Sequence, residues 1–178
     1  MEIKLNCENR VLVQGRAVNI RGNKFTLKSE GLRIPCRVDS QIPGNFKDGD
    51  YVTIRGKLRY SNEHDSHKLI VERLSVINEV KDFVNHIAIE GYPLEIVRDD
   101  GTLSFTLRHN ILNNKGEVYR CLVDCIAYSR VADRLSRFME KEKLYLIVGE
   151  LVGKDKKVKI DVEYAKDSKA IVRNVGNV

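Results

Sequence analysis

The stretch NRVLVQG, residues 9 to 15, is written a second time as NHIAIEG, residues 85 to 91. Three further echoes follow in the same order. KFTLK (24 to 28) returns as SFTLR (104 to 108), and CRVDS (36 to 40) returns as CLVDC (121 to 125). YVTIRGKL (51 to 58) returns as YLIVGEL (145 to 151), aligned on Gly56 and Gly149. A repeat decides architecture before any motif does. Four blocks in one order describe two copies of one fold, roughly residues 5 to 78 and 83 to 168 of the 178.

Each block has the grammar of a β-strand. Runs of Val, Ile, Leu and Tyr end at a glycine, and their β-branched content favours strand over helix. Glycine within or just after such a run marks a bulge or sharp bend, which is what a small closed barrel needs. Between strands, IRGNKF and VRDDGTLSF carry Gly with Asn or Asp, where positive φ costs little. One segment breaks the pattern. SRVADRLSRFMEKEK (129 to 143) puts Val131, Leu135 and Phe138 at helical spacing with Ser129 as N-cap. The first copy has only SQIPGNFKDGD at that point, so its helix is missing or reduced to a turn. Final strands are expected at KLIVERLSVI (68 to 77) and KVKIDVEY (157 to 164).

Three strands, a connecting helix and two closing strands describe an OB-fold, a five-stranded Greek-key barrel. The sequence therefore predicts an all-β chain of two tandem OB barrels, with a short helix in the second. Domain boundaries are expected at 1–79, 80–168 and a tail of 169–178. NEVKDF between the copies is too short for a free linker, so the barrels are expected to pack side by side.

The composition is that of a globular chain, with 42% hydrophobic and 31% charged residues and no Trp. No apolar run reaches membrane-span length, and MEIKLNCENR lacks the apolar stretch of a signal peptide. The expectation is a cytoplasmic protein with no membrane partner. Cys7, Cys36, Cys121 and Cys125 form no C-x-x-C pair and read as reduced, mostly buried thiols. His64 and His67 beside Asp65 lack further ligands, so neither a metal nor any other cofactor is expected. No phosphate-cradling loop, H-E-x-x-H or G-x-S-x-G is present, and the chain does not read as an enzyme. Charge is uneven. Arg10, Arg16, Arg21, Lys24, Lys28, Arg33 and Arg37 face one acid, Glu30, giving this stretch +6, while the rest nearly cancels. Such a run is either a solvated basic face or the footprint of a polyanion.

The second copy resembles the bacterial single-stranded DNA-binding proteins and their relative, primosomal replication protein N. The likeness rests on NHIAIEG, DDGTLSFTLR, LVDCIAYSRVADRL (122 to 135) and KLYLIVGEL, and covers about 80 residues. The first copy is similar through the echo and through FKDGDYVTIRGKL (46 to 58); the second has Glu142 where the family's glycine is expected. The resemblance implies binding of single-stranded DNA with little sequence preference, by base stacking and phosphate contacts, in replication, repair or transfer of a mobile element. It gives Tyr128 a stacking position and leaves Leu122 without the ring of another. It also brings in a homo-oligomer and replication proteins as further partners. KAIVRNVGNV lacks the family's glycine-rich linker and acidic tail, so the hub function is not expected, and the short VGKDKKVK loop implies fewer nucleotides per barrel.

Candidate nucleic-acid contacts in the first copy are Arg16, Arg21, Lys24, Arg33, Arg37, Arg59, Tyr60 and Lys68. In the second they are Arg108, Arg120, Tyr128, Arg130, Lys154 and Lys156. Tyr60 is expected as an exposed ring on a projecting hairpin. Phe25 and Phe105 are either core or ligand-facing, because period 2 fixes the alternation but not which face is inside. Asp39 and Asp124 are read as equivalent. Two alternatives stand beside DNA binding: a protein-interaction module of primosome-adaptor type, which would show an exposed apolar patch, and a single-stranded RNA binder using the same stacking chemistry.

Overall fold

A computed structural model of the chain describes residues 2–5, 8–39, 41–78, 84–112, 117–153, 157–168 and 171–174. It divides into two compact units. The first comprises Arg10–Ile87 with Glu150–Ile160, and the second Met1–Asn9, Ala88–Gly149 and Asp161–Val178. In chain order the strands of the first half are β1 (Glu2–Leu5), β2 (Asn9–Arg21), β3 (Lys24–Ser29), β4 (Leu32–Val38), β5 (Tyr51–Ser61) and β6 (Ser66–Ile77). Then come β7 (Asn85–Asp99), β8 (Thr102–Leu112), β9 (Val118–Tyr128), α1 (Ser129–Ser136), β10 (Tyr145–Val152), β11 (Lys159–Asp167) and β12 (Ile171–Asn174). Most of the described chain is strand, and no helix is long and apolar enough to cross a membrane.

In the first unit β2 pairs with β3, β3 with β4, β4 in parallel with β6, β6 with β5, and β5 again with β2. That ring is a closed five-stranded barrel in the OB order. Among the later strands the neighbours run β10, β11, β9, β8, β7, and β10 pairs again with β7.

Closure depends on one long strand serving two neighbours. Val11–Arg16 of β2 pair with β5, whereas Arg16–Arg21 pair with β3. Gly15 lies at the changeover, where a Cβ would stand 2.5 Å from the Lys28 carbonyl oxygen. Gly91 is its counterpart in β7, pressed on Leu107 and on the Arg108 carbonyl. Each strand then bulges four residues on, between Val18 and Arg21 and between Leu94 and Val97. Asn19 (φ 59) and Glu95 (φ 50) occupy the left-handed conformation at those bulges. The other repeated glycines are explained in the same way. A Cβ on Gly56 or Gly149 would fall inside the van der Waals shell of the Ile70 or Asp161 carbonyl oxygen.

Alternation puts Val13, Leu27, Ile34, Ile54, Leu58 and Leu69 inside the first unit, all fully buried. Leu103, Leu107, Tyr145 and Ile147 do the same in the second. Each aliphatic side chain so buried contributes about 1.5–3 kcal/mol. Phe25 and Phe105, both 3% exposed, belong to the core. The register also corrects the third echo. Phe25 faces Cys36, but Phe105 faces Cys125, not Cys121. Asp39 therefore corresponds to Tyr128, and Asp124 to Pro35; the shared V-D letters are four residues out of step. Tyr51 and Tyr145 are likewise not equivalent once Gly56 and Gly149 are superposed. One residue of offset turns Tyr51 outward, while Tyr145 is buried with its hydroxyl donating to the Phe138 carbonyl (3.0 Å).

The helix is shorter than the sequence pattern, and its cap differs. Tyr128, extended at φ −121, is the N-cap residue and makes no side-chain cap, while the Ser129 N–H donates to the Gly101 carbonyl (2.7 Å). The buried helical residues are Ala132 and Leu135. Past Ser136 the Arg137, Phe138 and Met139 N–H groups still bond the Arg134 and Leu135 carbonyls, and side chains complete the ending: Arg98 donates to the Ser136 and Met139 carbonyls, and the Glu140 N–H donates to the Tyr145 hydroxyl. In the first copy the equivalent segment is turns, and Phe46 packs edge-on against Phe25 at 5.4 Å. Residues 171–174, read from sequence as tail, form β12, antiparallel to β1. Cys7 and most of NEVKDF lie outside the described residues.

Gly149→Ala is expected to lower the denaturation midpoint by the equivalent of about 1–3 kcal/mol through overpacking. Gly44→Ala, with open space around it, should change stability by less than about 0.5 kcal/mol in the same urea titration. Burial raises the Cys36 and Cys125 thiol pKa values, and Cys121 is buried with them. A Cys7→Ser variant should therefore leave a thiol reagent unreacted at about pH 8 until denaturant is added.

Candidate nucleic-acid interface

Glu30 and Gly31 (φ 65) form a two-residue turn that sets Ser29 opposite Leu32. Alternation then dictates the rest of the hairpin. Lys28 stands directly opposite Arg33, and Lys24 directly opposite Arg37. On the other side β2 continues both rows, with Arg16 opposite Lys28 and Arg21 opposite Lys24. The outer face of β2, β3 and β4 thus carries two transverse cationic ladders, Arg16–Lys28–Arg33 and Arg21–Lys24–Arg37. All six side chains are exposed. The rows are four residues apart along β3, about 13 Å at strand rise.

Directly opposed like charges destabilise a sheet by about 0.2–1 kcal/mol per pair. One nearby acid is seen to pair with a ladder cation. Arg37 reaches Asp39 at 3.2 Å with both side chains half exposed, a pair that solvent screens. The arrangement costs stability in the free protein and fits a ligand that brings its own negative charge.

At one end of the first ladder the surface folds into a cleft of about 410 Å³, lined by Gln14, Gly15, Arg16, Lys28, Ser29, Glu30 and Tyr51. Arg16 lies over the Tyr51 ring at 4.9 Å and donates from Nη2 to its hydroxyl at 3.0 Å. Tyr51 is 38% exposed, an aromatic surface in the same cleft as Arg16 and Lys28. The Gln14 Oε1 atom, buried, has no hydrogen-bond partner among the described residues.

The sequence-predicted residues fall into three groups. Arg16, Arg21, Lys24, Arg33 and Arg37 are brought together on the ladders. Arg59 and Lys68 form another cross-strand like-charge pair, on the β5–β6 hairpin. Tyr60 departs from expectation: it is half-buried, its ring 5.2 Å from that of His67, and its hydroxyl donates to Asp65 (2.6 Å). Asp65 is also paired with Lys157, and both partners hold its carboxyl below the usual range. His67 Nδ1 accepts from the Val158 N–H (3.3 Å), so this hairpin tip is tied down by side-chain bonds and its aromatic is less exposed than the sequence pattern suggests.

Among the second unit's residues Tyr128 is 48% exposed and stands opposite Thr102. Arg130 is exposed in the first turn of α1. Arg120 is opposite Asn110, eight residues along β9 from Tyr128 and so about 26 Å away. Those two do not share one site. Arg108 is half-buried, lies over the Tyr92 ring at 5.4 Å and reaches Glu142 at 3.7 Å. Lys154 and Lys156 lie outside the described residues.

Sequence reading missed Lys28 as a ladder member, Tyr51, and the opposed pair Arg55 and Arg73 on β5 and β6. Each needed a strand register rather than a residue count. The Glu30-Gly31 turn was the available signal for Lys28.

No protein-family model matches the sequence, and no curated protein does. Among solved structures, the wild-type single-stranded DNA binding protein from Thermus aquaticus aligns with a TM-score of 0.65 at 14% identity. The alignment covers 98% of this chain and 97% of that one. A deletion mutant of the same protein aligns with a TM-score of 0.65 at 12% identity, covering 93% and 96%. The likeness establishes the fold.

Lys28→Thr is expected to raise the free protein's stability by about 0.2–1 kcal/mol per relieved pair, with the gain larger at low salt. Urea titrations at two ionic strengths read this out directly.

Proposed function

We propose that this chain binds single-stranded DNA with little sequence preference, as two tandem copies of one OB barrel covering roughly residues 1–79 and 80–168. The observation that carries the reading is the pair of cationic ladders on β2, β3 and β4. In an OB barrel the face of the second and third strands is where oligonucleotides lie. Two rows of three cations across that face, with an aromatic at the edge, suit a backbone whose bases are free to stack. The fold shared with the Thermus aquaticus protein supports the same reading.

The role is non-catalytic. Replication, repair or transfer of a mobile element in the cytoplasm is the setting we attach to it, with a second copy of the chain and replication proteins as partners. These rest on the sequence resemblance.

The test is fluorescence anisotropy of a labelled oligo-dT of about 30 nucleotides, long enough for two barrels, across a salt series with duplex DNA and oligo-rU as competitors. If each ladder cation neutralises one phosphate, log K should fall against log salt with a slope of about −4 from these six alone. Preference for duplex would contradict the single-strand reading, and preference for rU would move it to RNA. Absence of binding at low salt would overturn it.

A further inference from the structure

Superposing the registers of the two copies shows that their equivalent faces have opposite chemistry. The correspondence is fixed by buried landmarks: Phe25 opposite Cys36 matches Phe105 opposite Cys125, and the bulge after Val18 matches the bulge after Leu94. The ladder Arg16–Lys28–Arg33 then becomes Tyr92–Arg108–Leu122. The ladder Arg21–Lys24–Arg37 becomes Val97–Ser104–Ile126. Six cations are replaced by one, and that one, Arg108, is engaged by Glu142 and the Tyr92 ring.

What the second face presents instead is apolar groups at most ladder-equivalent positions, flanked by acids. Val97 is 57% exposed and Tyr128 48%, with Ser104 and Thr102 on β8 beside them and half-buried Ile126 opposite Ser104. Its outward carboxylates, Asp99 opposite Thr102 and Asp124 opposite Thr106, would repel a phosphate. A backbone-holding surface needs cations, and a base-holding surface needs exposed rings and apolar groups with little charge. The first face is the richer in cations, with Tyr51 the one ring described at its edge, and the second is the richer in exposed apolar groups, with Arg108 the one cation at the ladder-equivalent positions.

Resting on the single-strand reading, we infer that the two copies read different parts of the strand. The first unit's β2–β3–β4 face holds the phosphodiester backbone, and the second unit's β7–β8–β9 face holds the bases. The first face supplies nearly all of the salt dependence, and the second supplies a salt-independent share of affinity and the discrimination against stacked, duplexed bases.

The test uses the full chain in three forms: wild type; Lys24→Gln with Lys28→Gln, Arg33→Gln and Arg37→Gln; and Val97→Ser with Tyr128→Ala. Probes are oligo-dT, its uncharged methylphosphonate analogue and inorganic polyphosphate. Losing four phosphate contacts should flatten the oligo-dT salt slope by about 3 and leave methylphosphonate binding unchanged. The second set should weaken oligo-dT roughly 5- to 150-fold at every salt concentration, which corresponds to one lost stacking contact. It should leave both the slope and polyphosphate binding intact. A graft gives the converse: Ser104→Lys with Ile126→Arg should steepen the slope by about 1.4. Equal slope changes in both loss variants, or a graft without effect, would overturn the division of labour while leaving single-strand binding standing. A wild-type chain that fails to bind oligo-dT would overturn both.

Discussion

Everything in the first barrel follows from β2 being shared between β5 and β3. A strand that pairs along one half with one neighbour and along the other half with a second must bend sharply, and at the changeover its backbone comes against the Lys28 carbonyl. Only a residue without a Cβ fits there. The bulge four residues on adds twist, and the two together aim the second half of β2 so that Arg16 and Arg21 extend the rows begun by β3 and β4. The glycine that closes the barrel therefore also determines where the cations stand.

The two copies hold to the same constraint inside and diverge outside. Gly15 with Gly91, Gly56 with Gly149, and Phe25 with Phe105 meet equivalent neighbours in the two halves. Outward positions have no packing partner to satisfy, and there one copy carries opposed like charges while the other carries Val97, Ile126 and Tyr128. Packing tolerates either, because an exposed substitution away from such features shifts stability by less than about 0.5 kcal/mol. The cationic rows cost up to about 1 kcal/mol per opposed pair, of which Arg16 on Tyr51 and Arg37 with Asp39 return a part in the free protein.

Much of the fold was legible in the residues. Glycine-ended β-branched runs gave the strands, their echo gave the glycines that β2 and β7 and that β5 and β10 hold against equivalent carbonyls, and the helical spacing of Leu135 gave α1. The site was legible as a charge run but not as a surface, because a run along the chain becomes rows across strands only after the turns fix the register. Letter matching also misled where period 2 decides the outcome. CRVDS and CLVDC look equivalent, yet their cysteines are four residues apart in register, and two similar tyrosines, Tyr51 and Tyr145, face opposite sides of their strands. Tyr60 was read as a fully exposed ring and is half-buried for another reason: its hydroxyl is bound by Asp65, itself paired with Lys157 far along the chain, a tie that no local pattern encodes.

The most direct measurement is a backbone-amide chemical-shift map of the full chain titrated with oligo-dT. Perturbations should cluster along β3 and β4 at Lys24, Lys28, Arg33 and Arg37 and at Arg16 and Arg21 of β2, with the β5–β6 tip around Tyr60 unmoved. Saturable binding that leaves the ladder residues unperturbed and shifts the Tyr60–His67 tip instead would contradict the assignment of the strand to this face.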